Sequence, residues 1–353
     1  MTDAPRKKPG KLPGAARRRV ASSAASTDWV STGPLVEGQP LPWLVRPAMD
    51  GMDLAAWAGS QRQRIDDLLL EHRALLFRGF GIDSVERFEA FVMATSNGER
   101  LEYRDRTTPR TTEGNRIYTA TVHPADQRIN PHNEGTYWVR WATKLYFCCL
   151  KAPTSGGETP MADVRNVYKR LSPEIRERFE RKQFSLVRNY NDGFGLPWQE
   201  VFQTKDEAEV EDFCRQNGIE VEWKGGGRLR TRQVRAAVRA HPVTGERVWF
   251  NHAAFYHHTT LDPAMRETLV AEFGEDGLPY NTYYGDGTPI EPEVAAEIRD
   301  AYEQEKVMFP WRAGDVALLD NMSVAHAREP YEGERMVVVS MTDAVDEHAC
   351  KIE

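Results

Sequence analysis

Cysteine is scarce in this chain. Only four occur in 353 residues, at Cys148, Cys149, Cys214 and Cys350, and no two are spaced as CxxC. That excludes a disulfide framework and a cysteine zinc site, and makes a reducing cytoplasm the expected home. Long apolar runs are missing too: none approaches the ~18–20 residues of a membrane span, so no membrane association is expected. Nor is there an excess of positive charge. The 46 Lys and Arg against 53 Asp and Glu leave a net charge of −7, which argues against a nucleic-acid binder. Residues 1–28 begin MTDAPRKKPGKLPGAARRRVASSAAST and lack the apolar segment of a secretory signal. Their Arg, Lys, Ala, Ser and Pro bury too little apolar surface to fold, and a disordered basic N-terminal tail is expected there.

What is present is enough chain for a sizeable core. The nine Trp, twelve Tyr and fourteen Phe suit a β-rich interior. Residues 53–76 carry apolar side chains at helical spacing and then break into Leu76-Phe77-Arg78-Gly79-Phe80, which predicts a helix, a short strand and a turn. Residues 84–96 predict a second helix with Ser84 as its N-cap. Leu145–Leu150 is a continuous apolar run, hence a buried strand. Residues 163–181 predict one or two helices split near Ser172-Pro173, and 292–308 another helix. Asp315–Asp320 and Met336–Met341 predict strands on either side of a loop. Residues 185–235 show no single period and are expected as an insertion over the site. No repeat or internal linker breaks residues 29–345, so one domain is expected, with residues 346–353 a C-terminal tail.

The residues that carry chemistry are His132-Asn133-Glu134 and a distant His326. In an extended segment, residues i and i+2 project to one face. His132 and Glu134 can therefore grip one ion while Asn133 points away, and His326 would come from another strand. One carboxylate and two imidazoles form the ligand set of a mononuclear Fe(II) site with open positions, although similar sets hold Zn or Mn. The spacing alone does not decide the matter. With nine His and 53 acidic residues, one His-x-acid triplet arises readily by chance. His257-His258 and His123 are rival ligands, weakened because adjacent histidines on a strand point in opposite directions. His241 precedes a proline and fits a turn.

The surrounding motifs add to this. Gly156-Gly157-Glu158-Thr159-Pro160-Met161-Ala162-Asp163 follows Glu134, and Gly314-Asp315-Val316-Ala317-Leu318-Leu319-Asp320-Asn321 precedes His326, Arg328, Gly333 and Arg335. This ordered set, over residues 75–342, resembles the taurine dioxygenase/clavaminate synthase-like superfamily of Fe(II)/2-oxoglutarate oxygenases. The stretches PHNEGTYW, FCCLKAPTSGGETPMADVR, RTRQVRAAVRAHPVTGERVWFNHA and WRAGDVALLDNMSVAHAREPYEGER are similar to its SyrP-like branch.

The resemblance implies a β-rich α+β fold: a double-stranded β-helix, or jelly-roll, with flanking helices. It implies His132, Glu134 and His326 as catalytic metal ligands for Fe(II), with 2-oxoglutarate as co-substrate and O₂ as oxidant. Thr159 and Arg335 would hold the co-substrate carboxylates, Arg335 through a planar fork that matches a carboxylate. Tyr118 and Lys144 are lesser candidates on that side. Either Asp320 or Asn321 would steady a metal-bound imidazole, or both serve only the turn. Arg104, Arg110, Arg188 and Asn251 are the candidate substrate contacts.

The implied activity is hydroxylation of an unactivated C–H bond in an amino acid or amino-acid-derived molecule of specialised metabolism, free or carrier-tethered. Desaturation or cyclisation by the same chemistry is the alternative. Halogenation is not expected, because Glu134 fills the position a halide would need. Two rival classes remain: a metal enzyme that does not use 2-oxoglutarate, and a non-catalytic protein that kept the fold. Thr159 and Arg335 speak against the first, and the intact triad against the second.

Overall fold

Four apolar segments set the core. Ala74–Phe77 and Val316–Asp320 are strands in which every residue is buried, because both faces of the sheet are covered. Arg140–Lys151 and Met336–Asp346 are the long strands beside them. The computed structural model describes residue 1 and residues 29–98, 101, 112–114, 117–119, 123–190 and 195–352. Nearly all of the basic N-terminal segment, and both Arg104 and Arg110, lie outside the described residues.

These strands sit at the centre of an eight-stranded sheet. Its order is Val30–Pro34, Trp43–Pro47, Ala74–Phe77, Val316–Asp320, Arg140–Lys151, Met336–Asp346, Ile117–Thr119 and Thr112–Gly114. Every neighbouring pair is antiparallel except Trp43–Pro47 with Ala74–Phe77. The centre is fastened by a buried ion pair. Arg78, just past one strand, donates from Nε (2.9 Å) and Nη2 (2.6 Å) to the Asp315 carboxylate, just before another.

A second layer of three short antiparallel strands carries the site. Val324–Arg328 lies between Ile129–His132 and Met161–Asp163. Phe147 of the large sheet reaches across, with its ring 4.9 Å from that of His326. Leu145, Leu319, Met161 and Val324 join Phe147 in one apolar cluster between the layers. The architecture is the jelly-roll expected of these motifs, with helices outside it.

Leu54–Ser60, Arg62–His72 and Val85–Thr95 cover one face through Trp57, Leu69, Phe88 and Phe91. Val164–Arg170, Pro173–Lys182 and Pro292–Glu305 pack on a cluster around Trp141, Trp249 and Phe250. The helix expected over 53–76 is two helices and a strand. After Gly59 the Ser60 hydroxyl turns back onto the Trp57 carbonyl, and Gln61 (φ −121°, ψ 20°) leaves helical geometry. Arg73, in left-handed geometry at φ 68°, ends the second helix.

Residues 185–235 contribute Phe184–Tyr190, Ile219–Lys224 and Arg228–Arg235 to a separate four-stranded sheet completed by Tyr280–Tyr284. It has its own core around Tyr190, Trp198, Val210 and Leu229. At the C-terminal end, Glu347–Cys350 forms a short 3-10 turn. Its Cys350 Sγ lies 3.9 Å from Met322 Sδ, and its Glu347 pairs with Arg239.

Candidate metal centre and its cavity

The register of the small sheet sets His132 directly opposite His326. Their ring centroids are 4.3 Å apart. One ligand atom each from His132, Glu134 and His326 lies within 4.8 Å of the others, the only such group of three His, Cys, Asp or Glu among the described residues. His132 donates from Nδ1 to the Asn130 carbonyl (2.9 Å), which leaves the Nε2 lone pair for a metal. The donor set therefore fits a divalent metal with open positions.

Glu134 sits in a turn that is fixed tightly. Gly135 follows at φ +72°, and a Cβ there would lie 2.5 Å from the Trp138 ring. Asn321 grips Glu134 by its backbone: its Oδ1 accepts from the Glu134 amide and its Nδ2 donates to the Glu134 carbonyl, both 2.9 Å. Nδ2 also donates to the Ala142 carbonyl (2.8 Å). Asn133 points the other way, donating to the Asn321 carbonyl.

Asp320 does something else. Its carboxylate takes the Ser323 hydroxyl (2.7 Å), the Met322 amide (3.0 Å) and His241 Nε2 (3.0 Å). Burial pushes that carboxyl up, but the bonds from His241, Ser323 and Met322 outweigh it and hold it below its ordinary value. Neither residue touches an imidazole that could bind the metal: Asn321 steadies Glu134 and Asp320 steadies the turn.

The expected co-substrate pair lies beside the small sheet. Thr159 is buried, and its Oγ1 accepts from Trp311 Nε1 (2.9 Å). That leaves the hydroxyl hydrogen free to donate. Arg335 donates from Nε to the Gly157 carbonyl (3.0 Å) and stacks over Tyr331. Burial, then repulsion from Arg328, lowers it to about 10, so it stays charged at neutral pH. No carboxylate pairs with Arg335 among the described residues. Lys144 is not part of this group: it reaches Asp66, Asp343 and the Thr95 carbonyl. Tyr118 is buried in the core between the layers.

A cavity of about 610 Å³ opens on His132 and Glu134. Arg188, Tyr190 and Leu186 of the separate sheet line it, as do His123, Gln127, Tyr137, His252 and Phe255. Arg188 stacks over Tyr190, 4.8 Å from its centroid. Asn251 does not reach this space. It donates from Nδ2 to the Ala237 carbonyl and accepts at Oδ1 from the Ala253 amide, and it borders a smaller neighbouring cavity of about 160 Å³. One N–H and one lone pair of its amide are thus taken by the backbone, which ties Asn251 to its loop outside the main cavity.

Its neighbour His252, which the sequence reading passed over, does line the main cavity. Burial, reinforced by His132, holds it well below the usual imidazole value and hence neutral. The only signal for it in the sequence was its place in the segment Trp249-Phe250-Asn251-His252. His257 and His258 are elsewhere: His257 bridges Thr259 and the Ile290 carbonyl.

No helix among the described residues is long and apolar enough to cross a membrane. The family model "Taurine catabolism dioxygenase TauD, TfdA family" matches residues 37–342. The chain is 38% identical over 312 residues to the dapdiamide synthesis protein DdaC of Enterobacter agglomerans, covering 88% of this chain and 94% of that one. It is 30% identical over 327 residues to a clavaminate synthase-like protein of Arabidopsis thaliana, covering 86% and 94%. The crystal structure of PvcB from Pseudomonas aeruginosa superposes with a TM-score of 0.54 at 16% identity, over 93% of this chain and 96% of that one. PvcB is described as an Fe, alpha-ketoglutarate dependent oxygenase from an isonitrile synthetic pathway.

Proposed function

This chain belongs to the TauD, TfdA family of dioxygenases, and from that premise we propose that it is an Fe(II)- and 2-oxoglutarate-dependent hydroxylase. Its substrate is an amino acid or an amino-acid-derived small molecule of specialised metabolism, free or carrier-tethered. One observation carries the reading: His132, Glu134 and His326 converge to within 4.8 Å from two strands and a turn. Dapdiamide synthesis, named for a relative 38% identical to this chain, supports specialised metabolism as the setting.

His132, Glu134 and His326 would hold the metal on one face. Fe(II) with 2-oxoglutarate supplies the oxidising power to break an unactivated C–H bond. The chain supplies orientation and exclusion of water. Thr159 donates its hydroxyl hydrogen to a co-substrate carboxylate while Trp311 fixes its oxygen. Arg335, held by the Gly157 carbonyl, pairs its remaining N–H groups with the other carboxylate. Glu134 would occupy a position that a halide would otherwise take, which argues against halogenation. Arg188 gives the cavity wall a guanidinium suited to a substrate carboxylate.

The test is aerobic incubation with Fe(II), 2-oxoglutarate and a library of amino acids and their derivatives, read by mass spectrometry. The expected result is succinate together with a product heavier by one oxygen atom, both dependent on 2-oxoglutarate. A product formed equally well without 2-oxoglutarate contradicts the reading.

A further inference from the structure

His252 is a buried polar side chain for which the metal centre has no use. It is 2% exposed and forms part of the cavity wall shared by His132 and Glu134. Four other cavity residues ring it: Phe255, Tyr256, Tyr137 and His132, with ring centroids at 5.0, 5.1, 5.4 and 5.8 Å. Its Nδ1 lies 2.7 Å from Thr136 Oγ1. Its Nε2 is buried and meets no hydrogen-bond partner among the described residues.

The position of the imidazole proton follows from counting donors. If Nδ1 carries the proton, it donates to Thr136, whose own buried hydroxyl hydrogen then has no acceptor among the described residues. The Nε2 lone pair is also left bare. If Nε2 carries the proton, Thr136 donates to Nδ1, and a single N–H remains unmet. A buried polar group without a partner costs about 1–3 kcal/mol, so the arrangement with fewer of them prevails. The remaining N–H is a neutral donor in a wall of aromatic rings beside the metal ligands. An unmet donor beside the metal ligands is available to a bound partner.

We propose that the Nε2–H of His252 recognises the substrate, donating a hydrogen bond to its carbonyl or carboxylate oxygen and thereby setting which carbon faces the metal. This rests on the oxygenase reading of the site. The co-substrate is not the partner in question, because its two carboxylates have Thr159 and Arg335. His252 is thus a specificity-determining residue, and Thr136 positions its ring.

Two experiments test this. Long-range ¹H–¹⁵N correlation on histidine-labelled protein reads the tautomer directly. Nε2–H is expected for His252, and Nδ1–H overturns the proposal. The second compares His252→Phe, which keeps the ring and loses the donor, with His252→Gln, which restores a donor at similar reach. Each is assayed with Fe(II), 2-oxoglutarate and, as probe, the member of a panel of common L-amino acids and their N-acetyl amides that best stimulates succinate formation by the wild type.

The Phe variant should raise the KM for that probe about tenfold, the loss of one hydrogen bond worth ~1.4 kcal/mol, and scatter the site of oxidation. The Gln variant should recover most of both. The anaerobic charge-transfer band with 2-oxoglutarate should be unchanged in either. An unchanged KM and product in His252→Phe, with the band intact, overturns the proposal alone. Loss of the band in both variants overturns it by assigning His252 to the metal. A wild type without the band sinks the oxygenase reading and this proposal with it.

Discussion

Asn321 illustrates how much of the site rests on groups that never touch a metal. One amide holds both backbone polar atoms of Glu134 and the carbonyl of Ala142. Asn321→Ala leaves those buried groups unmet and loosens the carboxylate. We expect about 2–3 kcal/mol less stability in urea unfolding, and Fe(II) affinity lowered ~10–100-fold in equilibrium dialysis. Thr159→Val makes a sharper case, because it removes one hydroxyl from a position of the same shape. It should weaken 2-oxoglutarate binding by about 1–3 kcal/mol in anaerobic titration while Fe(II) binding is retained.

At this scale the sequence was informative where chemistry restricts the residue type. His132, Glu134 and His326 stood out through the ordered motifs around them, Gly156–Asp163 and Gly314–Arg335, since one His-x-acid triplet arises readily by chance. The sequence pointed to Asn251 and not to His252, because which of two adjacent side chains enters a cavity depends on the path of the loop. Asn251 is taken up by the Ala237 carbonyl and the Ala253 amide, a pairing between distant segments that no local pattern announces.

Among the elements, the turn at Gly156-Gly157 carries the most. A Cβ on Gly156 would lie 2.2 Å from the Pro330 carbonyl oxygen, and the residue sits at φ +67°. Thr159 leaves this turn and Arg335 is tied to it through Gly157. Gly156→Ala should therefore cost at least ~1–3 kcal/mol of stability. It should also weaken 2-oxoglutarate binding without changing any residue that touches the co-substrate. Denaturant unfolding and anaerobic titration on the same preparation check the two effects.

The elements themselves were largely legible. Continuous apolar runs at Leu145–Leu150 and Val316–Leu319 became central strands because both their faces are covered. The Ser172-Pro173 split marks the boundary of two helices, since proline opens a helix but cannot continue one. Residues 185–235 hid their strands. In Phe184–Tyr190 every side chain is buried, so the polar/apolar alternation that reveals a half-exposed strand is absent. Its sheet partner Tyr280–Tyr284 lies far along the chain.

For the whole molecule, stability should fall on mild acidification even without metal. Burial lowers His257 to about 4, against the bond from its Nε2–H to the Ile290 carbonyl, which raises it. An imidazole whose folded value is depressed contributes stability that is complete above its unfolded value of about 6.5. That contribution drains away as the pH drops toward 4, because the unfolded chain binds the proton first. The loss is about 3 kcal/mol for His257, and His252 acts in the same direction. Thermal unfolding of the metal-free protein between pH 4 and 7 should show this slope, and His257→Gln should flatten it. A slope unchanged in the variant would remove His257 from the account. The long-range closure of the molecule, in which Arg78 meets Asp315 and His132 meets His326, was visible only as ordered motifs resembling a known family.

The central claim is that three side chains from two strands and a turn make one iron site that accepts 2-oxoglutarate. It is tested most directly by anaerobic titration of the metal-free protein with Fe(II) and 2-oxoglutarate, followed in visible absorption. A metal-to-ligand charge-transfer band saturating at one Fe(II) per chain, and lost in both His132→Ala and His326→Ala, is the result predicted. A wild type that gives no band, or a band that survives intact in His326→Ala, would contradict the claim.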